Sequence, residues 1–225
     1  YYLWRNCQRG RSAPTFNTNG ELTTLSFTPR GELAAMSGDQ WRLLDSATAR
    51  LLRTVPLPIG DNHWVMSFDG TMVGAFGKAD DGSPWVRLWK MFPDQREIAV
   101  VRPPAEIQQL AFSPDGSLLV AGDVNGVVRC WQTTSGRQAH ELKVGREGRA
   151  LSTMGYFRSS LIALSHDNRR LAVVTNHSDI SLWSLAEGRE LVALAGHGDE
   201  CSALAFSHDD ALLATGGYDY SVRIW

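Results

Sequence analysis

The chain has 225 residues, 43% of them hydrophobic, and a formal net charge of -2. That is enough apolar side chain to bury a core, no apolar run approaches a membrane span, and a charge so near zero gives no electrostatic case for nucleic acid, an anionic membrane or a strongly acidic partner. Cys7, Cys130 and Cys201 are odd in number and far apart, which fits a reducing, cytoplasmic setting better than a disulfide framework or a zinc site. Asn176-His177-Ser178 spells a glycosylation acceptor, read here as chance because nothing signals secretion.

Taken in order, the chain opens on Tyr1-Tyr2-Leu3-Trp4-Arg5, which reads as the tail of an earlier repeat with no initiator Met or signal peptide. The expectation is a section of a longer polypeptide, cut at both ends. From there one pattern recurs: an apolar strand, a tight turn, a second strand, and an Arg-aliphatic-Trp close. The turns centre on Phe27-Thr28-Pro29-Arg30-Gly31, Met66-Ser67-Phe68-Asp69-Gly70, Phe112-Ser113-Pro114-Asp115-Gly116, Leu164-Ser165-His166-Asp167-Asn168 and Phe206-Ser207-His208-Asp209-Asp210. The closing positions are Leu44, Trp89, Trp131, Trp183 and Trp225, which divides the chain into five units at about 5–44, 45–89, 90–131, 132–183 and 184–225. A period of about 40–50 residues built from short strands predicts a stack of small sheets, hence an all-β propeller.

The third unit shows the expected anatomy best. Residues 108–113 form a first strand a, and Ser113-Pro114-Asp115-Gly116 makes a turn in which Pro presets the backbone, Asp caps it and Gly permits the exit. Residues 118–121 form strand b, 123–126 a second turn, and 127–131 strand c. After Thr134-Ser135-Gly136, residues 137–144 supply an outer strand d, polar and irregular as an edge should be.

These residues resemble the WD-repeat family, whose propeller blades are sheets of four antiparallel strands. The resemblance covers essentially the whole chain. It implies that a Gly-His before strand a, a Ser or Thr in strand b, an Asp in the next turn and the closing Trp form a buried hydrogen-bonded set. The last unit carries all of them, as Gly196-His197, Thr215, Asp219 and Trp225. A chain from Trp225 through Thr215 and His197 to Asp219 would satisfy the indole N–H and the imidazole together. The other units depart from the pattern: the third has Ala121 and Asn125 at the Thr and Asp positions, the fourth has Val173 and His177, and the first closes on Leu44. By resemblance the expected ring is a five-repeat section of a larger propeller, commonly of seven blades, with a closed five-bladed ring as the alternative.

Several spellings of chemistry dissolve on inspection. Ser165-His166-Asp167 and Ser207-His208-Asp209 carry the letters of a hydrolase triad, but a triad converges from separated positions, and these runs are turns with His in place of Pro. His197 with Asp219 is a general acid–base pair only if the structural set is ignored. Gly74-Ala75-Phe76-Gly77-Lys78-Ala79 lacks the phosphate-loop spacing and the hydroxyl that reaches magnesium. The six His residues show no metal-ligand spacing. Arg137, His140, Lys143, Arg146 and Arg149 are interleaved with Glu141 and Glu147, which reads as a solvated strand and loop rather than a phosphate track. No catalytic residue, metal or cofactor is expected.

Two connections exceed what the repeat requires: residues 76–84, between strands b and c of the second unit, and 145–160, between strand d and the next strand a. In an up-and-down blade both emerge on one rim, and insertions on one face mark a binding face. The candidate partner-binding residues there are Lys78, Asp80, Asp81, Trp85, Arg146, Arg149, Tyr156, Phe157 and Arg158, an aromatic–Arg mix suited to interface anchors. The leading expectation is a non-catalytic platform for a protein or peptide partner. Two readings compete with it. One is a propeller enzyme, lactonase-like or quinone-dependent, for which no repeated Asp, His or Glu lines a channel register. The other is a sensing appendage of a larger enzyme, since the His-substituted turns resemble those of bacterial WD-repeat proteins, which the family often fuses to serine/threonine kinases.

Overall fold

The computed structural model of the chain describes residues 15, 22–57, 63–91, 94–144, 161–175 and 178–225. They form five antiparallel sheets in which consecutive strands pair in order. The first sheet is β1 (Leu22–Phe27), β2 (Leu33–Ser37), β3 (Gln40–Leu44) and β4 (Leu51–Pro56). The second is β5 (His63–Met66), β6 (Met72–Lys78), β7 (Pro84–Lys90) and β8 (Arg96–Val101). The third is β9 (Ile107–Phe112), β10 (Leu118–Asp123), β11 (Val127–Gln132) and β12 (Gln138–Lys143). The fourth is β13 (Ile162–Leu164), β14 (Arg170–Thr175), β15 (Asp179–Ser184) and β16 (Arg189–Leu194). The fifth has three strands, β17 (Cys201–Phe206), β18 (Leu213–Gly217) and β19 (Val222–Ile224).

The strand chemistry follows from position in the stack. Every residue of β10 is buried, because an inner strand of a middle sheet is covered on both faces by its neighbours and so reads as a continuous apolar run. The outer strand β12 alternates Gln, His, Glu and Lys with little burial, which keeps an exposed edge from recruiting other strands. Four of the five a–b turns are closed by one local device. Ser113 Oγ donates to Asp115 Oδ1 (2.6 Å) and accepts from the Leu118 N–H (2.9 Å), and Asp115 Oδ1 accepts the Ser117 N–H (3.0 Å). Ser67 with Asp69, Ser165 with Asp167 and Ser207 with Asp209 repeat the same bond at 2.6 Å.

Successive sheets are glued by shared apolar clusters. Met36 and Trp41 of the first pack on Val73, Trp85 and Trp89 of the second, and Phe76 and Leu88 of the second meet Leu110, Leu119 and Trp131 of the third. Val120, Val128 and Cys130 of the third meet Ile162, Leu171 and Val173 of the fourth, and Ala172, Val174 and Ile180 of the fourth meet Cys201 and Leu213 of the fifth. The fully buried Trp41 donates its indole N–H to the Gly70 oxygen (3.3 Å) across the first joint. Gly70 has φ +67°, and a Cβ there would come within 2.6 Å of Ala34 Cβ, so close approach and turn geometry both require glycine.

Among the described residues the stack does not close. No described cluster joins the fifth sheet to the first, and the outward faces keep apolar side chains in solvent: Leu25 and Phe27 on the first sheet, Leu212, Val222 and Ile224 on the fifth. Among the described residues the five sheets therefore form an unclosed, partial propeller, not the closed five-bladed alternative. Each closing Leu or Trp lies in or directly after the third strand of its sheet, and the fourth strand belongs in sequence to the following unit.

Candidate partner-binding rim

The connections separate onto two rims. Leu57 N–H donates to the Asp39 oxygen (2.8 Å), Val124 N–H to the Glu106 oxygen (2.9 Å) and Tyr218 N–H to the Glu200 oxygen (2.8 Å), each tying a b–c turn to a d–a connection. On the opposite rim Thr133 Oγ1 donates to the Gly116 oxygen (2.7 Å), tying a c–d turn to an a–b turn.

The fifth sheet carries a four-residue polar set. His197 comes from the connection before β17, Thr215 from β18, Asp219 from the following turn, and Trp225 follows β19. Trp225 Nε1 donates to Thr215 Oγ1 (3.0 Å), which lies 2.7 Å from His197 Nε2; His197 Nδ1 lies 3.0 Å from both carboxylate oxygens of Asp219. The tautomer that satisfies all of them has the proton on Nδ1, so that Nε2 accepts from the threonine hydroxyl. The Ser221 hydroxyl and the Gly198 N–H also donate to Asp219, and with His197 they hold its carboxyl far below the usual aspartate range. A Cβ on Gly217 would stand 2.7 Å from His197 Nδ1, so the set needs glycine beside it. Every polar atom of the imidazole is spent on structure, and its side chain is 0% exposed; the arrangement positions strands rather than protons for a substrate.

Elsewhere the set is replaced. In the third sheet Asp123, 1% exposed, accepts the N–H groups of Asn125 and Val127 (2.9 Å each) and pairs with Arg129 Nη1 (2.7 Å), whose Nε reaches Glu141 (3.0 Å). Sequence alone places Asp123 in a turn and so misses this buried ion pair; an acidic residue two before Asn125 with an Arg two before the closing Trp is the available signal. In the fourth sheet Val173 stands at the threonine position, and Trp183 Nε1 is buried without a partner among the described residues. His177 lies outside the described residues.

The triad spellings are turns. Ser165 and Ser207 donate to Asp167 and Asp209 two residues on, not to a histidine. His166 Nδ1 instead faces Asp210 of the next sheet at 3.0 Å, and its ring meets His208 edge-on at 5.1 Å.

The candidate rim residues divide. Lys78 pairs with Glu106 across the b–c rim at 2.8 Å, both about half exposed, an ion pair worth little by itself. Asp80 and Asp81 are exposed in the turn, and the Ser83 side chain and N–H keep the Asp81 carboxyl below its ordinary value. Trp85 does not belong with them. It is 5% exposed, packed in the first joint with the Arg87 guanidinium 5.0 Å from its ring centroid. The hairpin is longer than expected because Gly77 pairs with Trp85 and Lys78 with Pro84; only residues 79–83 are loop, and β-pairing carries Trp85 inward. Arg146, Arg149, Tyr156, Phe157 and Arg158 lie outside the described residues. Two exposed aromatics on this rim escape the sequence reading. Tyr220 is 100% exposed and holds φ +59°, and Tyr218 two residues earlier is 41% exposed. Tyr-Asp-Tyr in a short turn, with Tyr220 at a position where Gly would sit unstrained, is the signal.

Residues 188–225 match the WD40 family, described as WD domain, G-beta repeat, and residues 83–160 match the anaphase-promoting complex subunit 4 WD40 domain. The chain belongs to the WD-repeat family. The region is 25% identical to periodic tryptophan protein 2 of Saccharomyces cerevisiae over 93% of its own length and 26% of that protein. It is 29% identical to transducin beta-like protein 3 of Bos taurus, over 62% of the region and 15% of the bovine protein. It is 26% identical to meiotic recombination protein rec14 of Schizosaccharomyces pombe, over 87% of the region and 62% of that protein. The WD-repeat region thus spans about a quarter or less of the first two. These relatives are eukaryotic, and the resemblance to bacterial members finds no support in them.

Proposed function

We propose that this WD-repeat region is a non-catalytic platform that holds a protein or peptide partner on the rim of its b–c turns and d–a connections. The observation that carries the reading is Tyr220: a large aromatic kept fully in solvent, in a backbone conformation that costs a non-glycine residue about 1–2 kcal/mol. Strain and apolar exposure together are worth keeping where they make a contact. Tyr218, Lys78, Asp80 and Asp81 accompany it on the same rim. The connection between β12 and β13, with Arg146, Arg149, Tyr156, Phe157 and Arg158, belongs to the same proposed surface. A cytoplasmic setting is part of the proposal, in keeping with the reduced, buried Cys130 and Cys201.

The test is quantitative affinity capture from extract, comparing the unaltered chain with Tyr218→Ser/Tyr220→Gly and with Tyr156→Ala/Phe157→Ala/Arg158→Ala. Loss of the same captured proteins from both variants, with unchanged hydrogen exchange in β5 to β16 and no faster exchange in β17 to β19, supports the platform. An unchanged captured set from both folded variants overturns this rim.

A further inference from the structure

The joint between the fourth and fifth sheets carries two histidines on the rim of the a–b turns. His166 stands between β13 and β14 and His208 between β17 and β18, where the first and third turns have Pro29 and Pro114. Both are exposed, and their rings meet edge-on with centroids 5.1 Å apart and planes at 81°. They belong to different repeats, so no local spacing in the sequence announces them.

His166 is held by the neighbouring sheet. Asp210 Oδ1 accepts the His166 main-chain N–H (2.8 Å) and lies 3.0 Å from His166 Nδ1, while Oδ2 accepts the Asp167 N–H (2.9 Å). Burial opposes the charge on Asp210, but these hydrogen bonds keep its carboxyl below the ordinary aspartate value. An ionised carboxylate only accepts, so Nδ1 carries the ring proton and Nε2 keeps its lone pair. No protein group among the described residues bonds that Nε2 or either ring nitrogen of His208. Around the rings the carboxylates of Asp167, Asp209 and Asp210 outnumber the guanidiniums of Arg169 and Arg170. Arg170 is moreover engaged by the Asp210 main-chain oxygen (2.7 Å), so the local charge does not oppose a cation.

A carboxylate behind one imidazole nitrogen, with the other nitrogen open, is how histidine is prepared to ligate a metal: the carboxylate fixes the tautomer and makes the ligating nitrogen more basic. The spacing fits as well. With metal–nitrogen bonds of about 2.0–2.1 Å and ring centres about 1.2 Å behind the nitrogens, two imidazoles on one ion have centroids about 4.5 Å apart at a right angle and about 5.2 Å apart at the tetrahedral angle. The two rings stand within that range. The χ2 torsion of histidine is broad and two-fold, so the exposed His208 ring can present either nitrogen. No group of three ligand-type side chains gathers at one point among the described residues, so water completes the coordination and the ion exchanges readily.

We propose that His166 Nε2 and a ring nitrogen of His208 bind one divalent ion of the imidazole-preferring class, zinc or copper(II), and that the ion clips the fourth sheet to the fifth. Imidazole suits these ions and not magnesium or calcium, which take oxygen ligands. The clip lies on the rim opposite the proposed partner surface and does not depend on it.

The experiment titrates zinc chloride into the chain at about pH 7.5 and follows the imidazole NMR signals together with amide exchange. The His166 and His208 rings are expected to shift together on one saturation curve. His208→Gln and His166→Gln, both at exposed positions, should each abolish the shift of the remaining ring over that range. Asp210→Asn keeps both rings but removes the carboxylate, and should weaken zinc affinity about 10–100-fold. At free zinc about 100 times the dissociation constant, amides of β17 to β19 that exchange by local opening should slow about a hundredfold, because opening separates the two ligands. In His208→Gln that protection should vanish. A His166 shift that survives His208→Gln at the same affinity, or an equal response to magnesium, overturns the shared imidazole site. Unchanged affinity in Asp210→Asn overturns the part given to that carboxylate, and zinc binding without protection of the fifth sheet overturns the clip.

Discussion

Replacing Thr215 by valine isolates the polar set of the fifth sheet. The shape change is small, because Val173 already fills the equivalent place in the fourth sheet while fully buried. What disappears is the hydroxyl between Trp225 Nε1 and His197 Nε2, at 3.0 and 2.7 Å. His197 is left with a buried nitrogen unpaired, a cost of about 1–3 kcal/mol, and the half-buried indole N–H loses roughly 1 kcal/mol more. The added methyl returns about 0.8 kcal/mol of apolar burial. The net is a loss of about 2 kcal/mol, confined to the fifth sheet because the stack is coupled only between neighbours. Amides of β17 to β19 that exchange by local opening should therefore exchange about 30-fold faster, with β9 to β11 unaffected. A change below about twofold, or one spread evenly over all five sheets, would refute the reasoning that this set secures the fifth sheet alone. The converse change, Val173→Thr, supplies Trp183 Nε1 with an acceptor but adds a hydroxyl hydrogen that needs one, so it should gain less than about 1 kcal/mol.

Four further outcomes are expected. Gly217→Ala pushes a methyl to 2.7 Å from His197 Nδ1 and should cost about 1–3 kcal/mol by denaturant titration, with the signature of the His197–Asp219 hydrogen bond absent from the imidazole NMR spectrum. Asp219 and Asp210 have carboxyls held below the ordinary value of 3.8; the stability they lend is complete above that pH and drains away as pH falls beneath it, so an acid melt should steepen below about pH 4 and flatten in Asp219→Asn and Asp210→Asn. Burial pushes the Cys130 thiol up to about 12, and peptide-level alkylation at pH 8 should leave it unmodified until the chain is unfolded. Tyr220→Gly relieves the strained turn and should raise stability by about 1 kcal/mol in a denaturant melt, while the proposed partner is lost; retained capture would show that the strain serves something else.

The third sheet was legible nearly to the residue, since Ser-Pro-Asp-Gly and the closing Trp131 bracket strands whose apolar pattern has one reading. The His197 set could be named because four residue types stand at fixed offsets around one turn. What stayed hidden depends on contacts between sheets. His166 and Asp210 are 44 residues apart, and their local spelling points to a different pairing altogether. Asp123 looks like a turn residue until Arg129 is seen to reach it. Trp85 looks like an insertion anchor because register, not composition, decides that β7 starts at Pro84 and turns the indole into the first joint.

The offset between sequence unit and sheet bears on how such a chain is copied and cut. A segment duplicated from one closing tryptophan to the next brings an outer strand for the sheet before it and three inner strands for a sheet of its own. Every newly inserted unit is thereby stitched to its predecessor by backbone hydrogen bonds before any side chain has adapted. A nick placed at the apparent boundary, just after Trp131, separates β11 from β12 within one sheet and frees no intact module. The natural fault lines of the protein run instead through the connections that precede β5, β9, β13 and β17.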